Sequence, residues 1–483
     1  CYQIVEQELI VNPLPAITDT TFVLCDDDSD GMAVFTLSDY NEQLLGATQL
    51  PADFTVSYYD TQANAQAGTS VGLLSNTYNG TNLEMIYPLV IANATGCRNA
   101  LATVTLSVKL RAVANPISQT TLDLFSVCDY DGINDGFTTF DLTAVETELL
   151  GAQIMPPISI TYHLTPEDQA SGANAIANPA SYTNTTVLTE TIYIRVARAN
   201  DDPNDDSAPC YDVSQILINV EPLAEPFITS VTGSQTICVN ELTGDVNPNS
   251  FLTLDSGVPA GSGYTYQWFL DGTALTTGTN ATYEVNTDAP GIYTVVVTST
   301  SVLGCVSDVS NDFTVIRSGP AVNEEYTVSN AFEDLQNIQV TNDGYGEYHY
   351  QLDDGPILDN GGLFLDVTPG PHSITIYDVK TNNPCDAVTI TGVSVINYPH
   401  YFTPNGDGIH DNWNIIGLDN QPNAKIYIFD RYGKLIKQIS AASEGWNGTF
   451  NGQPLPSTDY WFSVDYLEGV EQKQFKAHFT LKR

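Results

Sequence analysis

Carboxylates recur along this chain at spacings suited to wrapping a hard cation. Asp26, Asp28 and Asp30 alternate and lead into Gly31, so oxygens arrive at every second position and the glycine permits the turn. Asp129, Asp131 and Asp135 form a related set at wider spacing, and Asn405, Asp407 and Asp411 repeat that second spacing near the C-terminus. Carboxylates this close repel one another unless protons or a cation neutralise them. Calcium is therefore expected at these loops, stiffening the modules that carry them. No glutamate supplies a bidentate twelfth ligand and no flanking helices are evident, so the loops are not EF-hands. The competing expectation is a solvated acidic turn, where Asp and Gly collect because they tolerate turn geometry. Asp201-Asp-Pro-Asn-Asp-Asp206 is as acidic but lacks the spacing, and reads as solvated.

Catalytic chemistry has little support. His163, His349, His372, His400, His410 and His478 are scattered and form neither a zinc-protease motif nor a triad-like local signature. A pair of glycosidase carboxylates could be drawn from 58 acidic residues, yet modules of about 80 to 110 residues leave little room for a deep cleft. The chain is read as non-enzymatic.

The elements that position the acidic loops are marked by cysteines. Cys1, Cys97, Cys210, Cys305 and Cys385 are each followed by an alternating apolar strand and then a proline-containing junction, so each marks the last strand of a module. On this reading Cys1 belongs to the tail of a preceding repeat; a lipoprotein-type N-terminal Cys is the alternative. Cys25, Cys128 and Cys238 lie between these tails. The expected bonds are Cys25–Cys97, Cys128–Cys210 and Cys238–Cys305, each closing roughly 70 to 80 residues for up to about 4 kcal/mol. Cys385 is left as a buried thiol and its module as the least stapled. Such regular spacing points to an oxidising, extracytoplasmic location.

A chain of 483 residues suits several β domains. Aromatic and β-branched residues favour strands, while 35 Gly and 26 Pro supply turns. The expected fold is all-β: tandem antiparallel β-sandwich modules of immunoglobulin-like type in an elongated array. The boundaries are a repeat tail at 1–17, repeats with acidic loops at 18–113 and 114–222, a sandwich at 223–318, another at 319–397, and a distinct module at 398–483. The first two repeats are relatives: both place Leu-Leu-Gly, at 44–46 and 149–151, after the acidic loop, and a short helix fits between. The third, with Trp268 in one strand and Gly291-Ile-Tyr-Thr-Val in another, resembles immunoglobulin-like or PKD-type sandwiches.

A formal charge of −43 repels nucleic-acid phosphates and anionic membrane surfaces, which excludes nucleic acid as a partner. The charge is uneven. Residues 398–483 hold 8 of the 15 basic residues against 9 acidic ones, near −1, which leaves about −42 for the rest. The two parts therefore meet different partners.

That final module carries Tyr401-Phe-Thr-Pro-Asn-Gly-Asp-Gly408, Lys425-Ile-Tyr-Ile-Phe-Asp-Arg-Tyr-Gly-Lys434, Gly445-Trp-Asn-Gly448 and Tyr460-Trp-Phe462 in order. Together these resemble the gliding motility-associated C-terminal domain of Bacteroidetes surface proteins, the type B sorting domain of the type IX secretion system. The resemblance implies export across the outer membrane and retention at the cell surface. Its implied partners are the type IX translocon and an SprF/PorP-type outer-membrane protein, and the whole is similar to the C-terminal region of an SprB-type gliding adhesin. Docking is expected on the apolar and basic surface of Tyr427, Phe429, Arg431, Lys434, Trp446, Tyr460, Trp461, Lys476, Lys482 and Arg483. The last strand is expected at a sheet edge, open to strand addition. Two alternatives stand beside this reading: an extracellular carbohydrate-binding array meeting polysaccharide or a substratum, and the non-catalytic tail of a secreted enzyme.

Overall fold

Alternation of side chains along each strand builds the cores. In Gly291–Ser299, Tyr293, Val295 and Val297 are buried while Ile292, Thr294 and Val296 occupy the more open face. The computed structural model describes residues 3, 5–26, 28, 30–153, 158–198, 210–261 and 263–483; Cys1 and the acidic run 201–206 lie outside them. Two compact units are present, Cys1–Leu223 and Ala224–Arg483.

The first unit holds the two related repeats. Strands β1 (Thr20–Asp26), β2 (Met32–Thr36), β3 (Phe54–Tyr59), β4 (Thr77–Thr81), β5 (Met85–Ala92), β6 (Arg98–Asn99) and β7 (Val104–Leu110) form the first. One sheet runs β1-β7-β5-β3 with β6 on β5, and β2 pairs with β4. Phe22, Phe35, Tyr58 and Leu106 fill its core with Leu44 and Leu45, which come from the short helix Asn41–Leu45. Gly46, at φ +66°, ends that helix. The second repeat comprises β8 (Ser126–Cys128), β9 (Thr139–Phe140), β10 (Ile158–His163), β11 (Tyr182–Thr183), β12 (Thr189–Arg198) and β13 (Tyr211–Glu221). Its sheets are β10-β12-β13-β8 and β11-β9, packed around Phe125, Leu149, Tyr162, Ile194 and Ile218.

The second unit holds three modules. The first has β14 (Thr229–Ser230), β15 (Thr236–Cys238), β16 (Leu252–Asp255), β17 (Tyr264–Leu270), β18 (Thr273–Ala274), β19 (Thr282–Val285), β20 (Gly291–Ser299) and β21 (Phe313–Ser318). Its sheets, β14-β16-β19 and β15-β21-β20-β17-β18, enclose Trp268, whose indole N–H donates to the Asn280 carbonyl at 2.8 Å. The next has β22 (Val322–Val328), β23 (Ile338–Asp343), β24 (Tyr348–Leu352), β25 (Ile357–Leu358), β26 (Leu363–Phe364), β27 (Gly370–Asp378) and β28 (Val388–Val395), in sheets β22-β23-β26 and β25-β24-β27-β28. The terminal module has β29 (Tyr401–Phe402), β30 (Lys425–Phe429), β31 (Leu435–Ser440), β32 (Thr449–Phe450), β33 (Gln453–Pro454), β34 (Thr458–Glu468) and β35 (Glu471–Leu481). Its main sheet is β29-β35-β34-β30-β31.

The fold is nearly all β, in tandem sandwich modules. One feature departs from a purely antiparallel design. β1 pairs with β7, β8 with β13, β15 with β21 and β29 with β35, each in parallel. In all four cases an early strand of a module lies beside its last, running the same way. The expected free edge on the last strand is corrected only at its C-terminal end by the same pairing. β35 is antiparallel to β34 along its length, and on its other side β29 covers Thr480 and Leu481 alone, with no strand among the described residues paired beside 471–479.

The cysteine pairing is also corrected. Cys25 bonds Cys210, and Cys238 bonds Cys385. Cys128 and Cys305 are each disulfide-bonded, but their expected partners are taken. Cys97 is a free, half-buried thiol, and Cys385 is stapled rather than free. The observed bonds thus join different modules instead of the two ends of one. Noncovalent contacts gather around both. Beside Cys210, Arg111 pairs with Asp212 at 3.0 Å, and the same carboxylate accepts the Ala114 N–H. Beside Cys385, the buried Asp378 accepts the Ser318 hydroxyl at 2.7 Å and the Cys385 N–H at 3.0 Å.

Candidate functional site

The first acidic loop joins β1 to β2. Asp26, the last residue of β1, is fully buried, whereas Asp28 and Asp30 are exposed. Asp26 accepts the Gly31 N–H at 2.8 Å through Oδ2 and the Asp28 N–H at 3.2 Å through Oδ1, which curls the loop around its carboxylate. Asp28 and Asp30 each accept the N–H two residues on, from Asp30 and Met32. One oxygen from each of the three lies within 4.8 Å of the others, close enough for a single cation to be held by all three.

The second loop follows β8 and does not gather its carboxylates in this way. Asp129 is only 2% exposed. Its Oδ2 accepts the Gly136 N–H at 2.7 Å, while its Oδ1 is buried without a hydrogen-bond partner. An ionised oxygen in that state is costly. Asp131 and Asp135 turn their Oδ1 atoms to the N–H groups of Ile133 and Phe137, both at 3.0 Å.

The third loop closes on itself. Asp411 accepts the N–H groups of Asn405, Gly406 and Gly408 at 2.9, 2.7 and 2.8 Å. Those bonds, Gly406 foremost, hold its carboxyl below the usual aspartate range. Gly406 and Gly408 sit at φ +83° and +85°, the conformation that lets successive amides face one anion. Asp407 accepts from Ile409 N–H and Asn405 Nδ2. The cradle is occupied by the chain's own carboxylate.

The terminal module presents a cleft of about 560 Å³ on the outer face of its main sheet. Strand β30 explains it. Ile426 and Ile428 are fully buried in the core, so Tyr427 and Phe429 must point outward. Across the sheet, Phe429 stands opposite Trp461, and Trp461 opposite His478; Tyr427 stands opposite Ser463, and Ser463 opposite Lys476. The small Ser463 between Tyr427 and Lys476 leaves a recess, walled by Trp461 and by Arg431 from the turn after β30. Asp430 also lines it, but its Oδ1 accepts the N–H groups of Tyr432 and Lys434 at 2.8 and 2.9 Å. The cations of Arg431 and Lys476 thus flank an aromatic floor, suited to an acidic or amphipathic partner.

Five of the residues expected to dock, Tyr427, Phe429, Arg431, Trp461 and Lys476, come together here. Lys434 instead lies over the Phe450 ring at 5.0 Å. Lys482 lies over Tyr401 at 4.3 Å, and Arg483 donates to the Gly448 carbonyl. Trp446 and Tyr460 are core residues, 1% and 2% exposed, and cannot meet a partner. Both belong to the aromatic cluster around Phe479, and the Tyr460 hydroxyl donates to the Pro456 carbonyl. Ser463 and Gln474 were missed; the alternation that buries Phe462 and Val464 was the signal that turns Ser463 outward.

Residues 396–481 match the model of the CHU_C type IX secretion signal domain. Residues 21–112 and 123–224 each match the Flavobacterium inter-domain disulphide bond domain, and Cys25–Cys210 joins those two segments. No curated protein matches the chain. Among solved structures, the Sidekick-1 immunoglobulin domains 1-5 align over 97% of this chain and 98% of that one, at 11% identity and a TM-score of 0.20. The human desmocollin-1 ectodomain aligns over 98% of both chains at 11% identity and 0.20. Mouse cadherin-23 EC22-24 aligns over 49% and 84% at 15% identity and 0.20. Superpositions at these scores carry no argument. The C-terminus carries a type IX secretion signal domain, the mark of a sorted surface protein.

Proposed function

We propose that this chain is a non-catalytic stalk at the cell surface, exported by the type IX translocon and held at the outer membrane through its terminal module. The observation that carries the reading is the secretion signal domain at 396–481, set behind an array of sandwich modules. In this reading an SprF/PorP-type outer-membrane protein receives the module, and the cleft floored by Tyr427, Phe429 and Trp461 is where it docks. The stalk then serves adhesion or gliding, as an SprB-type adhesin would. Calcium at Asp26, Asp28 and Asp30 stiffens the first repeat. A second ion at the Asp129 loop would give the orphaned Oδ1 a partner once Asp131 and Asp135 swing inward.

The test is deletion of residues 398–483 in the native bacterium, followed by surface labelling and fractionation. Accumulation in the periplasm is expected; continued surface display overturns the reading. Docking is tested by Tyr427→Ala and Lys476→Glu, with Lys437→Glu on β31 as the control outside the cleft. Export with loss of retention is expected for the first two alone, and equal retention in all three would remove the cleft from the proposal.

A further inference from the structure

From the pattern of covalent links we infer that this chain has a mechanical function, carrying tension along a route that bypasses most of its own residues. Cys25 lies near the end of β1, the first strand of the first repeat, and Cys210 immediately precedes β13, the last strand of the second. Cys238 ends β15 and Cys385 stands just before β28, the last strand of its module. A pull on the two chain ends therefore runs along β1, crosses a disulfide to β13, follows the chain to β15, crosses a second disulfide and leaves along β28. Strands on that route are already extended, at about 3.3 Å per residue, so straightening them releases almost no length. The bonds span 185 and 147 residues of sequence, and the stretches 26–209 and 239–384 hang beside the route without bearing force.

Additional cross-links can only shorten a path, so the disulfides at Cys128 and Cys305 leave this bypass intact whatever their partners. The inference rests on connectivity and stands whether or not the docking proposal does. Its consequence is that the first two acidic loops keep their geometry under load, because both lie on the sheltered stretch 26–209, immediately after Cys25 and Cys128.

The experiment is single-molecule pulling of the oxidised chain through handles at its two ends, repeated after full reduction by a phosphine. At about 3.6 Å of contour per residue, the sheltered stretches correspond to about 660 Å and about 530 Å. Neither length is expected from the oxidised chain at forces that unfold the terminal module, and both are expected after reduction. Contour length is read at full extension, so loss of stability on reduction does not blur the result. Release of either length from the oxidised chain, or no gain on reduction, overturns the inference.

Discussion

Breaking the Cys25–Cys210 bond should destabilise the first repeat far more than removing Cys97, although both cysteines belong to that repeat's segment. When the first repeat unfolds while the second stays folded, the freed chain is tethered at both ends: through the disulfide at Cys25 and through the backbone where it enters the second repeat. Closing a loop of roughly 90 residues is worth about 4 to 5 kcal/mol in the chain-entropy model. A domain of this size shifts its melting temperature by about 4–8 °C per kcal/mol, so the bond is worth about 16–40 °C in the first transition. The Cys97 thiol is half-buried, and its sulfur lies 4.0 Å from the Asn12 carbonyl. Its replacement by serine should cost no more than about 0.5 kcal/mol. Scanning calorimetry of oxidised Cys25→Ser/Cys210→Ser and Cys97→Ser proteins measures the contrast, with non-reducing peptide mapping of the same samples. Equal destabilisation by the two variants, or a peptide joining Cys25 to Cys97, would refute the reasoning.

Charge and pH supply two further tests. Asp28→Asn relieves repulsion among three clustered carboxylates, so it should raise the melting temperature in chelator and abolish the gain on adding calcium; an unchanged calcium response would remove the ion from that loop. Glu468 accepts the Ala331 N–H at 2.8 Å and pairs with Lys473, tying the terminal module to the loop before β23. Burial alone would raise its carboxyl, but the Ala331 and Lys473 bonds hold it below the ordinary 4.5. A depressed carboxyl contributes fully above pH 4.5 and loses its contribution as pH falls through the folded value. Protection of the Ala331 amide, taken relative to its intrinsic exchange rate at each pH, should drop over that window in the native chain and show no such step in Glu468→Gln; parallel profiles would discount the bond.

Local patterns were legible where they bear on one strand at a time. The short helix before Leu-Leu-Gly, the buried Trp268 strand and the outward pair Tyr427 and Phe429 all follow from spacing and alternation. The disulfides were not. Five cysteines in one recurring context invite pairing within each module, but which sulfurs meet depends on how a module's end is set against its neighbour, which no periodicity encodes. Trp446 and Tyr460 fail for a related reason. Trp446 lies outside any regular strand, its backbone paired with Trp413 by an isolated bridge, so no alternation assigns it a face. Tyr460 shares its face with Phe462 and Val464, and the error was to treat a residue from a core-facing set as exposed. The cover over the end of β35 was not legible because β29 has only two residues, too few to register as a strand in the sequence.

The place of β35 sets the order in which the terminal module can become complete. β35 comes after every other strand of its module in the sequence. Phe479, stacked on Trp413 at 3.7 Å, and Leu481 are both fully buried. A chain cut short before Phe479 therefore lacks a keystone of the core and leaves Thr458, Asp459 and Tyr460 of β34 without their partners on β35. A signal domain is therefore finished only when the chain runs through Leu481, and a copy cut within β35 presents a main sheet without its aromatic centre.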